Sequence, residues 1–146
     1  PSTTQGGHLL QTVHYERATE YTITDTSLAA TPMTVTINPV AEGGSIFLIT
    51  FTLNTYRAAT TGTCTVRLYR TIGAGTATDF KGINLVKQTS HPNHVQYQTH
   101  HVHVFDSPTY TTEDITYTIY FAAASSTFYG CIDNMHDQIS IFEFAS

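Results

Sequence analysis

In Ile115-Thr116-Tyr117-Thr118-Ile119-Tyr120-Phe121, the odd positions carry one apolar face and threonine dominates the even ones. A strand turns successive side chains to opposite faces, so this pattern lays one face on a core and leaves hydroxyls on the other. The same alternation runs through Thr34-Val35-Thr36-Ile37 and Cys64-Thr65-Val66-Arg67-Leu68. Threonine makes up about a fifth of the 146 residues, and nine Tyr and eight Phe join it. Branched and aromatic side chains favour a pleated surface, and few Lys, Glu and Ala remain to build helix faces. The chain is therefore expected to be all-β.

Strands are expected near His8–Arg17, Glu20–Thr24, Met33–Asn38, Ser45–Arg57, Thr63–Thr71, Asn93–Phe105, Ile115–Ala123, Thr127–Ile132 and Gln138–Phe144, with a weaker one between Asp79 and Lys87. Turn signals separate them: Asn38-Pro39, Gly43-Gly44, Gly73-Ala74-Gly75 and Asp106-Ser107-Pro108. Eight to ten short strands in one domain-sized chain point to an antiparallel β-sandwich, a jelly roll in particular. Residues 1–7 form a polar lead-in or attachment arm, and 8–146 form the domain.

Two strands depart from simple alternation. Ile46-Phe47-Leu48-Ile49 and Ile139-Ser140-Ile141-Phe142-Glu143-Phe144 carry apolar groups on both faces. In a two-layer sandwich the outer face then needs a second partner, and another subunit is the economical one.

Charge narrows the partners. Charged residues are 12% of the chain, about half the usual share. The net charge is -5, with six scattered Lys and Arg, which argues against a phosphate track and so against nucleic acid. The longest apolar runs fall far short of the roughly 20 residues of a spanning helix, and the first residues show no basic start or apolar stretch of a secretory signal. Cys64 shares a face with Val66 and Leu68, which reads as a buried thiol, with a Cys64–Cys131 bridge as the alternative.

Histidine is the one concentrated chemical feature. Five of eight lie in His91-Pro92-Asn93-His94 and His100-His101-Val102-His103. On a strand, His101 and His103 share a face, with Val102 and Val104 on the other. Such a pair begins many metal sites, which raises a cupin-like metal-dependent enzyme as a reading. The third ligand argues against it: Phe105-Asp106-Ser107-Pro108 follows, Glu113 is too far along, and Gly130 to His136 lacks a Pro-x-Gly turn. Surface or interface packing with ordinary hydrogen bonds is the plainer account. On a threefold axis, however, one His appears three times, so His101 and His103 are the candidates for a metal ion held between subunits.

The remaining chemistry is thin. Glu113 and Asp114 are adjacent and point to opposite sides, unlike a catalytic carboxylate pair. Asp133 and Asp137 around Asn134 lack the spacing and glycine of a calcium loop. No nucleophile elbow or phosphate loop occurs, so no catalytic residue is assigned and the chain is read as a non-enzyme. Tyr56, Tyr69, Tyr97, Tyr110 and Tyr129 are candidates to line a sugar-binding surface, although strands favour tyrosine in any case.

Several segments in order resemble a domain common in tailed-bacteriophage structural proteins. Gly7-His8-Leu9-Leu10-Gln11-Thr12-Val13 is similar to its opening "GKxLQVV". Met33 to Pro39 followed by Gly44-Ser45-Ile46-Phe47-Leu48-Ile49 resembles "xxSITPSSTSSKILVLV". Thr65 to Arg70 matches "LxLxR", Phe105 to Pro108 with Thr111, Thr112 and Ile115 to Tyr117 resembles "LDSPNTTSxVTY", and Ile139 to Glu143 resembles "TITLMEI". The set spans residues 7–144. It implies a homotrimeric jelly roll of the tumour-necrosis-factor-like kind, displayed on a virion assembled in the bacterial cytoplasm. Capsid decoration or a head fibre is the expected role if residues 1–146 are the whole gene product, which would leave no room for a shaft; the alternative, favoured if the chain is a cut-out, is the receptor- or glycan-binding tip of a tail fibre. The expected partners are further copies of the chain, capsid or tail proteins, and a host surface glycan. The family carries no catalytic residues to transfer. The histidine cluster and Ile46, where the family has Lys, depart from its pattern and leave the receptor unassigned.

Overall fold

The computed structural model describes residues 7–41, 43–57, 63–79, 81, 85–88, 96–124, 126–131 and 135–146. These residues hold ten strands and no helix: β1 (Leu9–Arg17), β2 (Tyr21–Ile23), β3 (Ala29–Ile37), β4 (Ser45–Arg57), β5 (Thr63–Ile72), β6 (Val86–Gln88), β7 (Gln96–Asp106), β8 (Ile115–Ala124), β9 (Phe128–Gly130) and β10 (Asp137–Ala145). They form two antiparallel sheets of a β-sandwich. The six-stranded sheet runs β1-β10-β4-β9-β2, with β7 on the other edge of β4; the four-stranded sheet runs β3-β8-β5-β6.

The expected strand at Ser45–Arg57 is found unchanged. β3 starts four residues earlier than the alternation indicated. Its ladder with β8 shifts register between Ala30 and Thr34, around Pro32. The Thr31 hydroxyl donates to the Ile119 carbonyl (2.8 Å) and accepts from the Met33 amide (3.2 Å), so a side chain bridges the interruption. Proline is tolerated there because β3 is an edge strand at a bulge. Among the described residues of the weak segment between Asp79 and Lys87, the strand found is β6 at its end, and just before the segment Thr78 bridges to Arg70. His91, His94, Asp133 and Asn134 lie outside the described residues.

The core forms where the alternating faces meet. Phe47, Ile49, Phe51 and Leu53 of β4, with Ile139 and Ile141 of β10, face Met33, Val35, Ile37, Val66, Leu68, Ile115, Tyr117, Ile119 and Phe121. Each such side chain contributes roughly 1.5–3 kcal/mol by leaving water. Cys64 is buried beside Val66 and Leu68, as its face implied. It is not bridged to Cys131, so the alternative of a disulfide is corrected. The Cys131 thiol donates to the Arg17 carbonyl (3.1 Å), and burial pushes its pKa up to about 11.

Three buried carboxylates tie elements together. Asp106 of β7 accepts from Arg70 Nη1 on both oxygens (2.9 and 2.8 Å) and from the Tyr117 hydroxyl (2.7 Å), crossing from one sheet to the other. Glu143 of β10 accepts from Ser45 Oγ (2.5 Å), Gln11 Nε2 (2.6 Å) and the amides of Val40 and Ala41. Asp137 accepts from the Asn54 amide (2.6 Å) and the Tyr21 hydroxyl (2.8 Å).

Burial raises the Asp137 pKa above the ordinary carboxylate value, and the hydrogen bonds from Asn54, Tyr21 and Cys131 offset that only in part. A carboxyl raised on folding contributes stability that is fully present below its unfolded pKa and is lost as pH rises through its folded pKa. Asp137→Asn removes this titration. The variant is expected to gain stability relative to the wild type as pH is raised from 4 to 7, which urea unfolding at the two pH values measures.

Candidate functional site

Along β4, Phe47, Ile49, Phe51 and Leu53 point into the core, so Ile46, Leu48, Thr50 and Thr52 point outward and are half-buried. Along β10 the outward set is Gln138, Ser140, Phe142 and Phe144, and along β7 it is Tyr97, Thr99, His101, His103 and Phe105. The ladders align these residues in rows. At one end Leu9, Phe144 and Ile46 lie side by side, with Leu10 at the register shift of β1. The next row is Thr12, Phe142, Leu48 and Phe105. Then come His14, Ser140, Thr50 and His103, and after them Glu16, Gln138, Thr52 and His101.

This outer face is zoned. Its first two rows are apolar except for Thr12, and Phe105 is 59% and Leu9 55% exposed in the single chain. Its next two rows are imidazole, hydroxyl and amide. Glu16 is the only formally charged side chain in the four rows. The outer face of the four-stranded sheet differs: threonine hydroxyls pair across β3 and β8 (Thr34 with Thr118 at 2.9 Å, Thr36 with Thr116 at 2.8 Å), and Arg67 pairs with Asp79 at 2.6 Å. A face this poor in charge, with exposed aromatic and aliphatic groups, has the composition of an interface core.

His101 and His103 do share the outward face, while Val104 is buried and Val102 half-buried on the other. Thr52 Oγ1 holds His101 Nδ1 at 2.9 Å, and Ser140 Oγ holds His14 Nδ1 at 2.8 Å. Glu16 lies 3.7 Å from His14 Nε2 and contacts His136 Nδ1. His100 points inward, 3.4 Å from Thr55 Oγ1; burial, then the neighbouring His101, lowers its pKa. Among the described residues no three His, Cys, Asp or Glu side chains are grouped to hold a metal. One chain offers His101 and His103, so a metal here would draw further ligands from other copies.

Of the five tyrosines, the fold brings three together. Tyr97, Tyr56 and Tyr129 form a row across β7, β4 and β9 on the same outer face, with ring centroids 4.8 and 6.0 Å apart. Tyr69 instead stacks on Tyr120 on the other sheet, at 3.8 Å, and Tyr110 stands exposed in the loop before β8. Glu113 and Asp114 are both exposed, and the Asp114 carboxylate accepts from Asn38 Nδ2 at 2.8 Å. The buried acids escaped the sequence reading, although each sits at a position that alternation assigns to the inside.

No protein-family model matches the chain, and no curated protein matches it.

Proposed function

We propose that the chain is a virion structural protein, a homotrimeric jelly-roll knob on the surface of a bacteriophage that serves as capsid decoration or head fibre. The observation that carries this reading is the outer face of β1-β10-β4-β7: apolar at one end, nearly uncharged throughout, and presented to solvent by a single chain. Another copy of the chain is the partner that covers it.

Two further points support the reading. β1 pairs β10, β3 pairs β8, β4 pairs β7 and β5 pairs β6, all antiparallel. With β2 pairing β9 in the same sheet as β1 and β10, that nesting is one long hairpin, its tip between β5 and β6, and from there inward the pairs β3–β8, β4–β7 and β5–β6 alternate between sheets, as in the winding of a jelly roll. The ordered resemblance over residues 7–144 points the same way.

Phe105 provides a clean test because it is exposed in the single chain. Phe105→Lys is expected to change the stability of the chain by no more than about 0.5 kcal/mol. At a subunit contact the same change places an ammonium against Leu48 and Phe142. Association is then expected to weaken about 30-fold or more, the roughly 2 kcal/mol typical of an anchor residue. Sedimentation velocity of both proteins measures it. The role on the particle is read from copy number by mass spectrometry of purified virions: hundreds of copies fit a capsid array, and a handful fits tail tips.

The row Tyr97–Tyr56–Tyr129 favours a second reading, a glycan-binding tip of a tail fibre. Aromatic faces stack on the apolar faces of sugars, and these three rings are aligned on adjacent strands. A glycan array is expected to show retention that Tyr97→Ala abolishes; no retention by the wild type contradicts this reading.

A further inference from the structure

We propose that the edge of β7 turned away from β4 pairs with β7 of a second copy, the two strands running antiparallel about a twofold axis at His101. The inference goes beyond the function proposed above. An isologous contact has no place inside a threefold knob, so this one joins one knob to the next.

A strand at a sheet edge offers a row of amides and carbonyls to any extended chain, and folds blunt such edges with short strands, bulges, proline or charge. Among the described residues, four of the five edge strands are blunted. β2 and β6 hold three residues each. β3 carries Pro32 and a register shift between Ala30 and Thr34. β1 has a register shift between Leu9 and Gln11 and ends on Glu16 and Arg17. β7 has none of these devices. Among the described residues it pairs with β4 alone, over eleven residues in unbroken register. It contains no Pro, Gly, Lys or Arg, and its one carboxylate, Asp106, is turned inward and held by Arg70. Its outward side chains Tyr97, Thr99, His101, His103 and Phe105 are all exposed.

The sequence of β7 is matched to itself. Laid antiparallel on a copy so that all eleven residues are paired, position 96 meets 106 and the midpoint, His101, meets itself. Paired positions are then both odd or both even, so the outward faces of the two sheets run on as one. This register sets Tyr97 opposite Phe105 and Thr99 opposite His103, each pair formed twice. On the inward side Gln98 meets Val104 and His100 meets Val102, and no like charges are opposed. Tyr97 and Phe105 are 55% and 59% exposed, and aromatic residues facing one another are a favoured cross-strand pair. A slip to the next register that keeps the faces aligned separates both aromatic pairs. The occupant that fits this edge along its whole length is therefore a second copy of the same strand. One strand edge is a small contact, of the weak class that forms where copies are crowded.

Cysteine cross-linking of the whole chain at high concentration tests the register, with oxidised glutathione as the oxidant and circular dichroism to show that each variant is folded. Directly opposed residues sit about 4.5–5.5 Å apart, within the span of a disulfide. His101→Cys is therefore expected to yield a species of two chains. Thr99 lies four residue steps from its own copy, about 14 Å away, and so does His103. Thr99→Cys and His103→Cys alone are expected to yield about tenfold less of that species, because the disulfide cannot span the gap. Thr99→Cys/His103→Cys together are expected to link as well as His101→Cys. Cys64 and Cys131 are buried, so the wild type stays unlinked. Equal yields from the three single variants overturn the proposal. A double variant that links no better than its single members overturns it as well, since that is the pattern of a contact around a threefold axis. No two-chain species from folded His101→Cys also overturns it. The trimer reading is tested by Phe105→Lys on chains without added thiols, so either reading can fail alone.

Discussion

Asp106→Ala is expected to lower the unfolding free energy by about 3–5 kcal/mol, the cost of breaking a buried charge pair by removing one partner. The carboxylate is 5% exposed, and it receives Arg70 on both oxygens and the hydroxyl of the fully buried Tyr117. Deleting it takes away the acceptor that β5 and β8 share with β7, and so the polar link between the sheets. At roughly 3 °C per kcal/mol for a chain of this size, the melting temperature is expected to fall by about 10 °C or more. Thermal unfolding measures it, and Asp106→Asn should fall between variant and wild type because it keeps an acceptor oxygen.

Glu143→Ala is expected to cost about 3 kcal/mol or more at pH 7, because it strips several neutral donors of their acceptor at roughly 1–3 kcal/mol for each one left buried and unsatisfied. The residue is fully buried, and its carboxylate collects donors from Ser45, Gln11, Val40 and Ala41. Burial works to raise its pKa, but those hydrogen bonds prevail and hold it below the usual glutamate value. A carboxyl lowered on folding contributes stability that is present above its unfolded pKa and lost as pH falls through its folded pKa. The gap between wild type and Glu143→Ala is therefore expected to narrow as pH drops below about 4.5. Asp137 titrates in the opposite sense, so the two variants should show opposite slopes in urea unfolding against pH.

Most of the fold was legible because period-two alternation survives wherever a strand has one wet face. Ile115, Tyr117, Ile119 and Phe121 are the buried residues of β8, and Cys64, Val66 and Leu68 those of β5. The start of β3 was not legible, since Pro32 masks a strand whose broken ladder is bridged by the Thr31 hydroxyl. The short strands β2 and β9 fall inside the expected segments Glu20–Thr24 and Thr127–Ile132, and β6, three residues long, overlaps only the end of the weaker segment expected between Asp79 and Lys87.

The outer face was half legible. Apolar residues on both sides of β4 and β10 marked it, and the shared side of His101 and His103 followed from alternation alone. Its zoning was not, because rows form from register: only the ladders bring His14 level with His103 and align Tyr97, Tyr56 and Tyr129. The apolar outward groups also proved less stark than the sequence implied. Ile46, Leu48, Phe142 and Phe144 are half-buried because they cover one another across the ladder, and Phe105, Leu9 and Leu10 are left open.

Sedimentation equilibrium of the purified chain at micromolar concentration and pH 7.5 bears most directly on the role of that face. A species of three chains that Phe105→Lys disperses is the result expected; a well-folded single chain, identical for both proteins across the concentration range, would contradict it.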